Sequence, residues 1–298
     1  MIIDVLLFIF GLILLSYGSD WFIVGSSRVA KFFKISDFVI GATIIAVGTS
    51  LPEIVTSVYA AWINSPEIST GNAIGSCIAN VGLVLGLSLI FSPIVIKESS
   101  VIKNTYAYVL FLIIACVLGI YGFSWVDGII LVFLFTLYLR YTTNNGKEEL
   151  NEVEETSYVR AVILLVIGLV GVILGSEMFV NGARNIALTL GVSEKVVGFT
   201  LVALGTSLPE LAVSIAAAKK KLGNMVLGNI VGSNVANIGV ALGLSAIVTP
   251  LPPQNLEMGI TLFMAVLLAM FAKRRKLGRL EGVLLLIMYC IFLYTLFN

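Results

Sequence analysis

Apolar residues run along this chain in long windows, interrupted by short clusters of charge, proline and turn residues. A bilayer core about 30 Å thick needs roughly 20 apolar residues per helix, and the windows have that length. The pattern predicts helices near residues 2–27, 36–63, 70–92, 104–121, 124–141, 158–183, 194–218, 224–248, 256–272 and 280–297. The expected fold class is therefore an all-α polytopic membrane protein with ten transmembrane helices. Thr142 to Ser157 is the one long polar stretch, carrying Glu148, Glu149, Glu152, Glu154 and Glu155. Its acidic spacing does not match a calcium-binding EF-hand loop, so it reads as a solvated linker. The domain division expected is 1–141, linker 142–157, and 158–298.

Composition agrees with the windows. The 298 residues are 59% hydrophobic and 12% charged, with a mean hydropathy of +1.06, against roughly 45–50% and 25% in an ordinary soluble chain. There is no histidine, so imidazole bases, imidazole metal ligands and Ser-His-Asp triads are excluded. Cys77, Cys116 and Cys290 are single residues in apolar stretches, which argues against a disulfide framework or metal cage and for core positions. A net charge of +1 gives nucleic acid no basic surface to bind. The first apolar run is too long, and lacks the basic start, for a cleaved signal peptide. No cofactor and no obligatory protein partner is called for; the expected surroundings are the lipid bilayer.

The scarce cations are sorted. One set of alternate connections holds Arg28, Lys31, Lys34, Lys97, Lys103, Arg140, Lys147, Arg160, Lys219, Lys220, Lys221, Lys273, Arg274, Arg275, Lys276 and Arg279, and the other holds only Arg184 and Lys195. Basic loops stay on the cytoplasmic side. A multi-pass protein of the cell membrane with both termini outside is the expected arrangement. Trp21, Trp62 and Trp125 suit the aromatic belts.

The chain also repeats itself without a gap at an offset of 157. Gly11, Gly18 and Gly25 align with Gly168, Gly175 and Gly182, and Asp20 aligns with Glu177. Residues 38–53 match 195–210 at ten of sixteen positions, including the whole run from Gly48 to Glu53, and 71–82 match 228–239 at seven of twelve. Each copy holds five predicted spans. An odd number makes the second copy enter the membrane from the other side, giving two inverted five-helix repeats. Transporters of that architecture place their substrate at the midplane, between interrupted helices.

Glu53 and Glu210 fall inside apolar windows, where a charged carboxylate costs roughly 2.5–3.5 kcal/mol. Pro52 and Pro209 precede them and free the carbonyls of Gly48 and Gly205; such carbonyls are tolerated at membrane depth only when buried or lining a cavity. Thr49 and Ser50, and Thr206 and Ser207, share a helical face with the glutamates. Asn72, Ser76 and Asn80, and Asn229, Ser233 and Asn237, each form one polar stripe at i, i+4, i+8. This donor set is all oxygen, without imidazole or thiolate. It suits a hard cation, and calcium accepts 6–8 oxygens in flexible geometry. Helix-to-helix bonding by the Asn and Ser side chains is the competing reading of the stripes.

The two copies of the Gly48–Glu53 run, with Gly71–Asn80 and its repeat, resemble the alpha-repeats of the calcium/cation antiporter superfamily, most closely the prokaryotic sodium/calcium exchangers. The motifs span 41–82 and 198–239. The resemblance implies that Glu53 and Glu210 are shared cation ligands, that Thr49 and Thr206 join them around calcium, and that Ser50, Ser207, Ser76, Ser233 and the backbone at Ala46 and Ala203 complete sodium positions. It also implies that the first and sixth helices slide as a pair. Asn80 and Asn237 complete the expected site. A close archaeal relative of the pattern would carry aspartate where this chain has Asn237, so two formal negatives remain instead of three.

Exchange of sodium for calcium by alternating access is the leading expectation, with Ca2+ and Na+ as transported substrates and no enzymatic activity. A proton/calcium exchanger using the same glutamates is the alternative. An intramembrane carboxylate enzyme is disfavoured by the matched surroundings of the two glutamates, because acid/base division of labour needs unlike environments. A passive cation channel would lack saturable, counter-ion-dependent flux.

Overall fold

The computed structural model describes residues 2–96, 98–145, 157–191 and 205–297. Among these the chain is almost wholly helical: α1 (Ile2–Phe32), α2 (Asp37–Thr49), α3 (Leu51–Trp62), α4 (Pro66–Phe91), α5 (Ser99–Leu118), α6 (Trp125–Asn145), α7 (Tyr158–Thr189), α8 (Leu208–Lys219), α9 (Gly223–Val248), α10 (Asn255–Lys273) and α11 (Arg279–Phe297). Seven of them are long and apolar enough to cross a membrane alone, and α2 with α3, bent by 47° at their junction, is apolar enough to count as an eighth if the pair is one span. The bend falls at Ser50, whose ψ of 3° interrupts the helix just before Pro52. Proline at the start of α3 needs no N–H there, so the break and the new helix are encoded together. The first part of the expected 194–218 helix lies outside the described residues, and α8 is its remainder. Two two-residue strands, β1 (Ile94–Val95) and β2 (Lys276–Leu277), pair antiparallel and join connections far apart in sequence.

Helix ends differ from the hydropathy windows in two informative places. α1 runs on to Phe32, with Lys31 in its last turn; a cation there complements the helix C-terminus. α6 continues to Asn145, past the expected linker start at residue 142. The cause is a buried tie, Thr142 Oγ1 donating to Asn104 Oδ1 at 2.7 Å. The acidic part of the linker, 146–156, lies outside the described residues.

α4 and α9 form the centre: 72% and 83% of their apolar windows are buried, against 22% in α1. α1 lies along α7 over its full length. Built Cβ atoms place Gly182 2.7 Å from the Asp4 carbonyl, Gly175 3.0 Å from that of Gly11, Gly168 2.9 Å from that of Gly18, and Gly25 2.9 Å from that of Ala161. As one index rises the other falls, so the two helices are antiparallel and their backbones touch at the glycines. These are the first helices of the two sequence copies.

Other backbone features also recur 157 residues apart. Ser50 and Ser207 share nearly identical angles (φ −82° and −86°, ψ 3° in both). Left-handed residues recur as Lys34 with Gly191 and Asn64 with Lys221. α4 and α9 each contain a π-helical segment, Asn80–Leu85 and Asn237–Leu242, and a third lies in α2 at Gly41–Ile45. Wide turns of this kind concentrate at functional sites.

Candidate cation site

Glu53 and Glu210 stand in the first turns of α3 and α8, where the helix N-terminus favours a carboxylate. Both are completely buried. They are close enough to interact electrostatically, and neither has a basic partner in the described ion pairs. Ser50 Oγ donates to Glu210 Oε1 at 2.9 Å, joining the break of one copy to the glutamate of the other. The hydroxyls of Thr206 and Thr49 lie next to Glu53 and Glu210 respectively. The cross-copy pairing makes the two halves complete one site.

Around the carboxylates are oxygens that hold no hydrogen bond. Both oxygens of Glu53, Oε2 of Glu210, Oδ1 of Asn80, Oδ1 of Asn237 and Oγ of Ser207 are buried without a partner. Buried polar atoms are nearly always satisfied, and these six oxygens on the expected ligands are exceptions. The chemistry fits a hard cation: oxygen donors, two formal negative charges, and no nitrogen base. Among the described residues no group of three or more His, Cys, Asp or Glu side chains gathers, which leaves the charge at two.

Other expected ligands meet across the two copies. Ser233 Oγ lies 3.5 Å from the Ala46 carbonyl and Thr49 Oγ1 3.4 Å from it. Thr49 also lies 3.4 Å from Asn229 Oδ1. Ser76 is buried at the position equivalent to Ser233. Ala203 lies outside the described residues.

The upper members of the two polar stripes hold helices instead. Asn72 Nδ2 donates to the Glu53 carbonyl at 3.0 Å and to Ser57 Oγ at 2.9 Å, and Asn229 Nδ2 donates to Ser214 Oγ at 3.0 Å. Ser57 and Ser214 are 157 residues apart and were not singled out in the sequence, because a serine one helical turn after a glutamate carries no distinctive signal. Asp20 is half exposed and pairs with Lys220 at 2.8 Å, and Glu177 is exposed. The three cysteines are free thiols. The core positions expected for them hold for Cys77, which is buried, while Cys116 is half-buried and Cys290 exposed; the backbone carbonyl of Cys77 accepts Asn234 Nδ2 at 3.1 Å. Asn234 itself was overlooked; the repeat could have revealed it, since it stands opposite Cys77 in an otherwise matching stretch.

Fold and site together define a helical membrane protein built around a buried, oxygen-lined pair of carboxylates. The family model described as sodium/calcium exchanger protein matches residues 3–144 and 160–298. The chain is 55% identical to uncharacterized membrane protein MJ0091 of Methanocaldococcus jannaschii, covering 99% of both. It is 30% identical to sodium/calcium exchanger MaX1 of Methanosarcina acetivorans, again over 99% of both. A solved structure of the sodium-calcium exchanger NCX_Mj, soaked with zero Na+ and Ca2+, superposes with a TM-score of 0.93 at 55% identity over 99% of both chains. This chain belongs to the sodium/calcium exchanger family.

Proposed function

We propose that the protein exchanges sodium for calcium across the cell membrane by alternating access, both cations using one site built on Glu53 and Glu210. The observation that carries this reading is the set of six buried oxygens without hydrogen bonds on Glu53, Glu210, Asn80, Asn237 and Ser207. A bound calcium ion offsets the two carboxylates, and sodium ions replace it on overlapping oxygens. Thr49, Thr206, Ser50, Ser76, Ser233 and the carbonyls of Ala46 and Ala203 complete the shell.

The architecture in this reading is ten transmembrane helices in two inverted five-helix repeats, divided at the linker. The bent pair α2–α3 and its counterpart ending in α8 are the interrupted helices. The antiparallel run of α1 against α7 and the recurrence of backbone angles at an offset of 157 support it. Alternating access in this reading is a movement of α1 and α7, whose backbones touch at the glycines, against the rest of the helices. The basic loops face the cytoplasm and both termini face outside.

Reconstituted vesicles test the function. Calcium uptake is expected when a sodium gradient is imposed at constant pH, and Glu53→Gln or Glu210→Gln is expected to abolish it. Uptake driven by a pH gradient in sodium-free buffer would instead establish a proton/calcium exchanger, a reading favoured by asparagine in place of a third carboxylate at Asn237. Retained calcium exchange in either glutamine variant would rule out the shared site.

A further inference from the structure

Asn80 and Asn237 are repeat equivalents, yet their surroundings differ. Asn80 Nδ2 donates to Asn234 Oδ1 at 3.0 Å, which leaves Asn80 Oδ1 as the buried atom without a partner. For Asn237 both amide atoms are buried and without a partner. The origin of the difference is Asn234, fully buried in α9. Its Nδ2 donates to the Cys77 carbonyl at 3.1 Å and to Tyr108 OH at 2.7 Å.

Hydrogen-bond chemistry fixes the directions. A backbone carbonyl only accepts, so the end of the Asn234 amide that faces Cys77 must be nitrogen. Its other end must then be oxygen, and an oxygen can be satisfied by Asn80 only through Asn80's NH2. The remaining end of the Asn80 amide is consequently oxygen. A carbonyl on the first central helix thus dictates, through two side chains, that Asn80 offers a cation an acceptor and not a donor. Tyr108, from α5, takes the second N–H and holds the Asn234 side chain from behind. In the first copy the position of Asn234 is occupied by Cys77, whose thiol lies beside Asn237 but donates to the carbonyls of Ala73 and Asn234 and carries no amide to repeat the relay.

We propose that Asn234 is a positioning residue for cation binding: it locks the Asn80 amide with Oδ1 free. This rests on the reading of Asn80 as part of the cation site. Groups behind metal ligands act in this way elsewhere, and their loss typically weakens metal affinity about 10- to 100-fold.

The test is calcium exchange in proteoliposomes, read as half-saturating calcium and maximal rate. Asn234→Leu is expected to raise half-saturating calcium about 10-fold or more and to leave the maximal rate near that of the native protein. Asn80→Asp offers oxygen whichever way it turns and sets an acceptor against Asn234 Oδ1, so in the Asn80→Asp background Asn234→Leu is expected not to raise half-saturating calcium. An equal increase in both backgrounds overturns the proposal, since Asn234 would then act by packing alone. Should Asn234→Leu not accumulate as folded protein, Asn234→Ala removes the amide without adding a branched side chain and is read by the same comparison. No shift on Asn234 substitution while Glu53→Gln abolishes exchange refutes the relay and spares the site; unchanged exchange in Glu53→Gln refutes the site itself.

Discussion

Glu53 combines complete burial, two oxygens without partners and a second carboxylate nearby. Those features destabilise the cation-free protein, because a carboxylate in a membrane interior costs roughly 2.5–3.5 kcal/mol. Glu53→Gln keeps the shape and removes the charge. Its melting temperature in detergent without calcium is expected to exceed that of the native protein, and its calcium-dependent rise to disappear. A native protein saturated at 100 times its dissociation constant gains about 2.7 kcal/mol by mass action, so the contrast is measurable in a thermal scan. Ser50→Ala deletes a hydrogen bond that reaches Glu210 from the other copy. A bond to a charged group is worth about 1.5–3 kcal/mol, and calcium affinity measured by titration calorimetry is expected to change by no more than that. Asn237→Asp restores a third carboxylate to the site; since ligand charge tunes calcium affinity, half-saturating calcium is expected to fall and sodium competition to shift. Unaltered sodium dependence would deny position 237 any part in the site. The glutamates, threonines and serines were legible because charge and hydroxyls stand out in apolar windows and recur together. Asn234, Ser57 and Ser214 were not, because their role lies in partners on other helices.

At the level of elements, the long helices and the break before Pro52 were readable from hydropathy and proline chemistry. The π-helical segments were not. A π turn depends on hydrogen bonds shifted by one residue, and neither Asn80 nor Asn237 announces that shift in sequence. Placing both amides at the first position of such a segment sets their direction relative to the preceding helix. The α1–α7 crossing was half legible: glycines at seven-residue spacing foretold a close approach, and only the family resemblance pointed to the partner. A Cβ on Gly18 would lie 2.8 Å from the carbonyl carbon of Gly171. Gly18→Val is therefore expected to destabilise the protein by about 1–3 kcal/mol through overpacking, seen as a lower melting temperature in detergent. Gly259, exposed in α10 with open space around its Cβ position, is the control: Gly259→Ala is expected to be neutral or slightly stabilising, by up to about 1 kcal/mol. An equal loss in both variants would mean that helix propensity, and not the crossing, governs the effect.

On the scale of the whole molecule, sixteen of the 18 cations fall on one set of alternate connections, and this asymmetry makes a topological prediction. Tags at the two termini of the protein in intact cells are expected to react with impermeant reagents, while a tag in the 146–156 segment is expected to react only after the membrane is opened. Reaction of the linker tag in sealed cells would reverse the orientation. Sequence by itself determined the membrane class, the duplication and the two glutamates, because each is a property of residue types and their spacing: hydropathy, a gapless offset, and charge where charge is costly. Only the tertiary structure decided that Ser50 of one copy meets Glu210 of the other, that Asn72 serves the helices while Asn80 keeps an oxygen without a partner, and that Asn234 bonds Asn80. Hydrogen bonds are directional and cross between helices more than 150 residues apart, and no local pattern records where their two ends will meet.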